Sequence, residues 1–384
     1  MPLRHTVNQL LRSFERPYET LNLIEVSRSA LLHNYDLYAQ HTGLQVIPVL
    51  KANAYGHGID LVARALKSRK LPYIAVDGYF EALRIREVSS QPVLVMGAIQ
   101  PSNLQYVELK NFTYVVQNLA SIEALGRRGA PVKIHLEINS GMNRYGIEPD
   151  QIPEFINHIK QYPKIKFEGV MSHLADADGL DPHTINAAVD IFDQAVDIIL
   201  ASGLKPTIFH VAQSAGSLKA RSRHATAIRL GLALYGINPL DPADPHYQTL
   251  ASLKPALRLT STIAQTHDLK AGDKVSYNYT FTAPHAMRIG VLPLGYYEGI
   301  PRALSNSGHV TINGQTVPII GRICMNHTII SLENSTGQIG DKVLMLSDDP
   351  AAINSVASIA YRHDLFSYSH LTSLSPDLRR VLVD

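Results

Sequence analysis

Residues 23–238 repeat one unit: a short β-branched or aliphatic run, a polar loop, then a longer stretch with apolar residues at helical spacing. The strand-like runs are QVIPVLK, YIAV, PVLVMG, TYVV, VKIHLEIN, KFEGVMSH, TIFHVAQ and AIRLG, most followed by a helix-like stretch such as DPHTINAAVDIFDQAVDIIL. This alternation builds parallel sheets, since a chain returning to the same end of a sheet needs a long crossover, usually a helix. Eight units predict an α/β fold, a (β/α)8 TIM-like barrel, and an open doubly wound sheet shares the same local pattern.

Beyond Pro239 the texture changes. DPADPHYQ is polar and broken by proline, and the segments that follow, ALRLTSTIAQTHDL, KVSYNYTF, MRIGVLPLG, HVTINGQTVPIIGRICM, TIISL and KVLML, are separated by AGD, NG and TGQIGD. Short strands joined by turns of this kind predict a mainly β C-terminal domain with hairpins. The expected division is an N-terminal extension over 1–20, the barrel over 21–249 and the β domain over 250–384. Val7, Leu10, Leu11 and Phe14 fall on one face of a short amphipathic helix in the extension, expected to pack on its own domain.

Composition narrows the function classes. The 384 residues are 45% hydrophobic and 18% charged, enough for a large core, and the formal charge is only +2. No basic tract could neutralise a phosphate backbone, so nucleic acid is not an expected partner and a small molecule is. The single cysteine, Cys324, excludes an intramolecular disulfide framework and any multi-cysteine metal site. His57 and His210 lack the paired spacing of ligands, so no metal is expected. Charges at Arg4, Arg12, Glu15 and Arg16 interrupt the N-terminal apolar stretch, and no run approaches the roughly 20 apolar residues of a membrane span. Cytoplasmic location is the expectation, with no membrane contact.

The chemistry starts at VIPVLKANAYGHG. Lys51 follows four apolar residues of a strand and stands at its C-terminal end, the face where barrels place catalytic groups. Desolvation would favour the neutral, imine-forming amine. Other strand ends carry Arg144, His173, Ser214 and Arg229, which barrel closure would bring round one mouth. Ser214 precedes Ala215-Gly216, and Arg229 precedes Gly231 and Leu232. These are the loops after the seventh and eighth strands, where barrels bind phosphate through backbone N–H groups. An imine-forming lysine with a phosphate cup points to pyridoxal 5′-phosphate as cofactor.

VLKANAYGHG, HLEINSGMNRYG, MSHLADAD, RLGLALYG, VSYNYTF, LGYYEGIPR and GRICMN resemble, in kind and order, the motifs of the alanine racemase family, from residue 23 to the C-terminus. The resemblance implies a barrel plus β domain, pyridoxal phosphate, a head-to-tail homodimer with shared sites and a role supplying D-alanine for peptidoglycan. It makes Lys51 the cofactor-holding lysine and one proton-transfer base, and Tyr277 of the partner subunit the other. Tyr55, Ser214, Gly231, Leu232 and Tyr368 correspond to the phosphate cup, Arg229 to the arginine facing the pyridine nitrogen and His173 to the histidine against the ring. Arg144 matches the arginine on the phenolic oxygen, Met325 a backbone donor to the substrate carboxylate, and Tyr296 a tyrosine at the entrance. An Arg229–His173–Tyr277 chain is expected to stabilise the phenolate. Racemisation needs two bases because the α-proton leaves one face and returns on the other.

Four departures from the family pattern stand out. Glu137, in VKIHLEIN, replaces a lysine that is carbamylated in many members, and alternation sets it on one face with Lys133, His135 and Asn139, toward the barrel interior. A Glu137–Arg144 pair without carbamate is therefore expected. Asn326 stands where aspartate is usual. Tyr79 and Gln213 replace a smaller apolar residue and an asparagine. These changes leave serine or a broader amino-acid range open beside alanine. A decarboxylase on the same barrel would carry an acidic group at the place of Arg229, and a non-catalytic pyridoxal phosphate carrier would need neither Tyr277 nor the second domain.

Overall fold

The computed structural model describes residues 19–384, so the helix expected over Val7 to Phe14 lies outside the described residues. The chain divides into two compact units. The larger comprises Glu25–Arg258, Leu346–Pro376 and Arg380–Asp384, and the smaller comprises Leu259–Met345 with residues 19–24 and Asp377–Arg379.

In the larger unit all eight strand-like runs form strands: β1 (Gln45–Pro48), β2 (Ile74–Val76), β3 (Val93–Val95), β4 (Phe112–Val116), β5 (Val132–Glu137), β6 (Ile165–Met171), β7 (Ile208–His210) and β8 (Ala227–Leu230). Strands β2 to β7 make one parallel ladder in chain order, and β1 pairs in parallel with β8, Gln45 opposite Ala227. Parallel bridges Val49↔Ala75 and Gln213↔Arg229 join the two ladders at the strand ends. Every strand thus has two neighbours, which closes the barrel and removes the doubly wound alternative.

Helix α1 (Arg28–Thr42) leads into β1, capped by Ser27, whose Oγ accepts from Ala30 N at 3.1 Å. Helices α2 (Ile59–Ala65), α3 (Tyr79–Val88), α4 (Leu119–Gly126), α5 (Ile152–Gln161) and α6 (Pro182–Ala201) follow β1, β2, β4, β5 and β6. In α6, Pro182 opens the first turn, Asp181 Oδ1 accepts from His183 N at 2.9 Å, and Ile185, Ala188, Val189, Phe192, Val196 and Ile199 form one buried stripe. After β3, β7 and β8 the chain makes only single 3₁₀ turns, Pro101–Asn103, Gly216–Leu218 and Leu232–Tyr235. Helices α7 (Val356–Arg362) and α8 (Ser367–Thr372) also belong to this unit.

The polar face expected on β5 does line the barrel. His135 is fully buried and bonds His210 of β7, a strand not adjacent to β5, so the contact crosses the interior. Lys133 Nζ lies 2.8 Å from Glu168 Oε1, and Tyr73 donates its hydroxyl to the same carboxylate.

The smaller unit is antiparallel. Strands β10 (Gln265–Leu269), β13 (Met287–Leu292) and β16 (Thr328–Ser331) form one sheet, β11 (Lys274–Val275) pairs with β12 (Phe281–Thr282), and β14 (His309–Ile312) with β15 (Gln315–Pro318) makes the hairpin that Asn313-Gly314 predicts. Strand β9 (Leu257–Thr262) precedes β10, and β17 (Lys342–Leu346) pairs with β14. Ala283, Met287, Ile289 and Ile320 form one of its buried apolar clusters.

Candidate active site

Beyond β1 the backbone does something no apolar pattern announces. Ala52, Asn53, Ala54 and Tyr55 all have φ between 51° and 54°, and Gly56 has φ 82°. Each L-residue in a left-handed turn costs roughly 1–2 kcal/mol, so the surroundings must hold this one. Glu81 Oε1, from the first turn of α3, accepts from Ala52 N at 2.7 Å, and Asn53 Oδ1 accepts from Ile59 N at 3.1 Å. Arg380 donates through Nε to Gly56 O at 2.8 Å. The backbone of α8 packs so closely that a Cβ on Gly56 would lie 2.0 Å from Leu371 O. The result sets both Lys51 and Tyr55 on the wall of one cavity of about 380 Å³ at the C-terminal mouth of the barrel.

The other strand ends complete that wall. Glu137 ends β5, Arg144 lies in the loop beyond it, His173 follows β6, and Ser214 follows β7. Arg229, Gly231 and Leu232 come from the end of β8, and Tyr368 comes from α8. Tyr277, Tyr296 and Met325 do not line this cavity. They belong to the smaller unit and are exposed, at 66%, 45% and 54%.

Arg229 is the most constrained of these groups. Its Nη1 donates to His210 Nδ1 at 2.8 Å and His210 O at 2.6 Å, and its Nη2 donates to Ser172 O at 2.6 Å, Val211 O at 3.0 Å and His173 Nδ1 at 3.2 Å. Among the described residues only its Nε–H has no partner, and the side chain faces the cavity. Since guanidinium only donates, His210 Nδ1 must accept and His210 Nε2 must carry the hydrogen. That hydrogen is given to His135 Nδ1 at 2.8 Å, leaving His135 Nε2 as a buried donor without a partner among the described residues. Both histidines are therefore neutral, and burial, joined by the Arg229 charge, holds their pKa values down. His173 is lowered too, by burial and then by Arg229, Arg144 and Lys51. Burial brings Arg229 itself down to about 10.

The expected Glu137–Arg144 pair does not form. Glu137 is buried and its Oε2 accepts from Gln117 Nε2 at 2.9 Å, while that amide also donates to Met96 O at 3.2 Å. Gln117 lies at the end of the neighbouring strand β4 and reaches the carboxylate sideways, whereas Arg144 lies seven residues further on in an exposed loop. Arg144 acts on Glu137 only through its charge: burial raises the Glu137 pKa, and the Gln117 bond, Arg229 and Arg144 oppose that rise.

A cradle of neutral donors occupies another part of the wall. The Tyr55 and Tyr368 hydroxyls have no partners among the described residues, and burial raises both their pKa values, Tyr368 to about 12, so both remain donors. Gly231 N donates to Ser214 Oγ at 2.9 Å, and a Cβ on Gly231 would lie 2.8 Å from Tyr55 Oη, so only glycine leaves this cradle open. Its chemistry, hydroxyls beside a lysine on a glycine-opened turn, fits a phosphorylated carbonyl ligand.

Sequence reasoning missed several contributors. Asp77 and Met96 line the cavity, Gln117 holds Glu137, Glu81 caps the lysine turn, and Tyr235 donates its hydroxyl to Val49 O at 2.8 Å. Only Glu81 left a signal, an acidic residue in the first turn of a predicted helix. Tyr79 lies outside the cavity: its Oη accepts from Glu108 N at 3.0 Å and its ring meets Phe112 edge-on. Gln213 does line the cavity, donating to Leu174 O at 3.1 Å and leaving Oε1 buried without a partner among the described residues.

Fold and cavity together define a (β/α)8 barrel protein whose lysine, arginines and hydroxyls converge on the C-terminal mouth. Family models match both parts of the chain, the alanine racemase N-terminal domain over residues 26–239 and the alanine racemase C-terminal domain over residues 256–382. The chain is 34% identical over 317 residues to an alanine racemase of Nostoc sp., covering 80% of this chain and 81% of that protein. A crystal structure of alanine racemase from Bacillus anthracis with bound L-Ala-P superposes with a TM-score of 0.86 at 27% identity, covering 96% of each chain. An alanine racemase from Bartonella henselae with covalently bound pyridoxal phosphate shares the fold at 23% identity, with a TM-score of 0.81 over 95% of this chain and 100% of that one. The chain belongs to the alanine racemase family. Among the described residues no helix is long and apolar enough to cross a membrane.

Proposed function

We propose that this chain is a pyridoxal 5′-phosphate-dependent amino-acid racemase that interconverts L- and D-alanine. Family membership supports the reaction class. The observation that carries the cofactor reading is the single cavity on which Lys51, the Tyr55–Ser214–Gly231–Tyr368 cradle and the free Nε–H of Arg229 converge. Pyridoxal phosphate, when bound, supplies a conjugated electron sink that acidifies the α-hydrogen of an amino acid.

In this reading Lys51 holds the cofactor's aldehyde carbon through Nζ, while Tyr55, Ser214, Gly231, Leu232 and Tyr368 hold its phosphate. Arg229 donates to the ring nitrogen and keeps it unprotonated, which disfavours side reactions. His173 lies against the ring, Arg144 bonds the phenolic oxygen, and Glu137 supplies a negative charge near it without carbamate. Lys51 Nζ and Tyr277 Oη of the partner subunit move protons on opposite faces of the α-carbon. Met325 donates its backbone N–H to the substrate carboxylate, and that N–H has no partner among the described residues. Tyr296 stands at the entrance. The exposure of Tyr277, Tyr296 and Met325 supports a head-to-tail homodimer in which each site takes these residues from the other subunit. In the division of roles, 21–249 supplies the cofactor site with Tyr368 added from α8, 250–384 otherwise supplies the β domain, and the product serves peptidoglycan synthesis in the cytoplasm.

Serine, or a broader amino-acid range, is the second reading, favoured by Asn326 in place of the usual aspartate. A decarboxylase is disfavoured by the arginine at 229. The test loads purified protein with pyridoxal phosphate, reduces it with borohydride and maps the labelled peptide, then assays a panel of L-amino acids for their D-enantiomers. Lys51 is expected to carry the label and alanine to be racemised. An unlabelled Lys51 overturns the cofactor reading, label without racemisation leaves a carrier, and turnover of serine but not alanine reassigns the substrate.

A further inference from the structure

Asn326 was singled out because the family's usual carboxylate is missing there, and the structure gives it a partner. Asn326 Nδ2 donates to Glu298 Oε1 at 2.7 Å, and Glu298 Oε2 accepts from Gly295 N at 2.7 Å. The amide orientation is fixed by chemistry, because a carboxylate accepts and only the NH₂ end of asparagine donates. Glu298 is half-buried, and its two oxygens therefore join two loops, 293–301 and 321–327.

The same two loops are stitched along the backbone. Tyr296 N donates to Cys324 O at 3.1 Å and Tyr297 N to Met325 O at 2.9 Å. A third loop is pinned to them, since Ser276, next to Tyr277, donates its hydroxyl to Arg322 O at 2.6 Å. The carbonyl of Met325 is thus occupied while its N–H is left free among the described residues. Tyr277, Tyr296 and Met325, the three site residues assigned to the smaller unit, ride on one hydrogen-bonded frame.

We propose that Glu298 and Asn326 are a matched pair of positioning residues: the neutral amide holds the Glu298 carboxylate between the loops and sets the Met325 N–H as a carboxylate donor. This rests on the racemase reading for its kinetic consequence, not for the pairing itself. An aspartate at 326 would place two carboxylates at hydrogen-bond distance, and they could share that distance only with a proton between them. It would also add a negative charge beside a donor assigned to an anionic group. Besides the pair itself, the charged and titratable groups on and against these loops are Tyr277, Tyr296, Tyr297, Arg302, Arg322, Cys324 and His327, with Asp377 accepting from the Tyr297 hydroxyl at 3.0 Å.

The test compares wild type, Asn326→Asp, and the reciprocal Glu298→Gln/Asn326→Asp, in which glutamine can donate to the new aspartate and still accept from Gly295. In the cofactor-free protein, Asn326→Asp should melt progressively lower than wild type as pH rises from 5 to 8. A carboxyl with a raised native pKa stabilises below its unfolded value and loses that contribution as pH climbs. The double variant should run parallel to wild type. In the loaded protein, Asn326→Asp should raise KM for alanine about tenfold with kcat within about twofold, an effect of the size of one charged hydrogen bond, and the double variant should restore it. Parallel melting curves for Asn326→Asp and wild type, an unchanged KM, or a double variant as impaired as the single one would overturn the proposal. Wild type without racemase activity would instead remove the functional reading and leave the melting curves to decide the pairing.

Discussion

Gln117 Nε2 donates to Glu137 Oε2 at 2.9 Å, and that bond from a neutral amide, in place of an ion pair with Arg144, orients the buried carboxylate at the end of β5. Burial raises the Glu137 pKa above its ordinary value. A carboxyl that titrates higher when folded binds its proton more tightly in the native state, so its contribution to stability falls as pH rises through the raised value. Glu137→Gln removes that slope. The variant should gain in melting temperature relative to wild type between pH 4 and pH 8, measured by calorimetry on the cofactor-free protein, while racemisation falls about tenfold through loss of a charged contact. Bicarbonate should not restore activity. A constant difference in melting temperature across pH would contradict the buried, titrating carboxylate.

Five histidines of the larger unit make it acid-sensitive. Burial lowers His57 and His370 to about 4 and His135 to about 3, burial and neighbouring cations lower His173 further, and His210 falls well below its ordinary value. Groups held neutral in the native state take up protons on unfolding once pH drops below about 6.5, so their stabilising contribution is complete above that pH and lost below it. Each can cost up to about 1.4 kcal/mol per pH unit. Urea midpoints should therefore fall steeply from pH 6.5 to pH 5, while the NMR shifts of these five rings stay constant. Midpoints that do not change over this window would rule out the neutral network around Arg229.

Gly56→Ala tests the lysine turn. The added methyl would meet Leu371 O at 2.0 Å at a residue whose φ is 82°, so the turn or α8 must move. The expected loss is about 2–4 kcal/mol in urea unfolding. Weaker pyridoxal phosphate binding should accompany it, because Lys51 and Tyr55 are set by the same turn. Wild-type stability in this variant would mean that α8 does not pack on the turn as described.

Much of the fold was legible because period and punctuation are local properties. The eight β-branched runs became eight strands, and Asn313-Gly314 became a hairpin turn. At the site, Lys51, Ser214, Arg229 and Gly231 were readable because each stands at or just past the C-terminal end of a strand, where barrel geometry assigns a mouth. The partner of Glu137 was not, since choosing between Gln117 and Arg144 depends on which side chain a neighbouring strand delivers.

The sequence alone determined the order of strands, the inward polar face of β5 and the residue types at the barrel mouth, all of which follow from spacing along one chain. Tertiary structure decided the rest. Four consecutive non-glycine residues enter the left-handed region after Lys51 because Glu81, Arg380 and Leu371, distant in sequence, hold them there against their own preference. The neutral state of His135 and His210 was likewise set by a guanidinium that can only donate and by full burial of both rings in the barrel interior. Local propensity cannot encode either result, because both are settled by contacts that exist only once the ring of strands has closed.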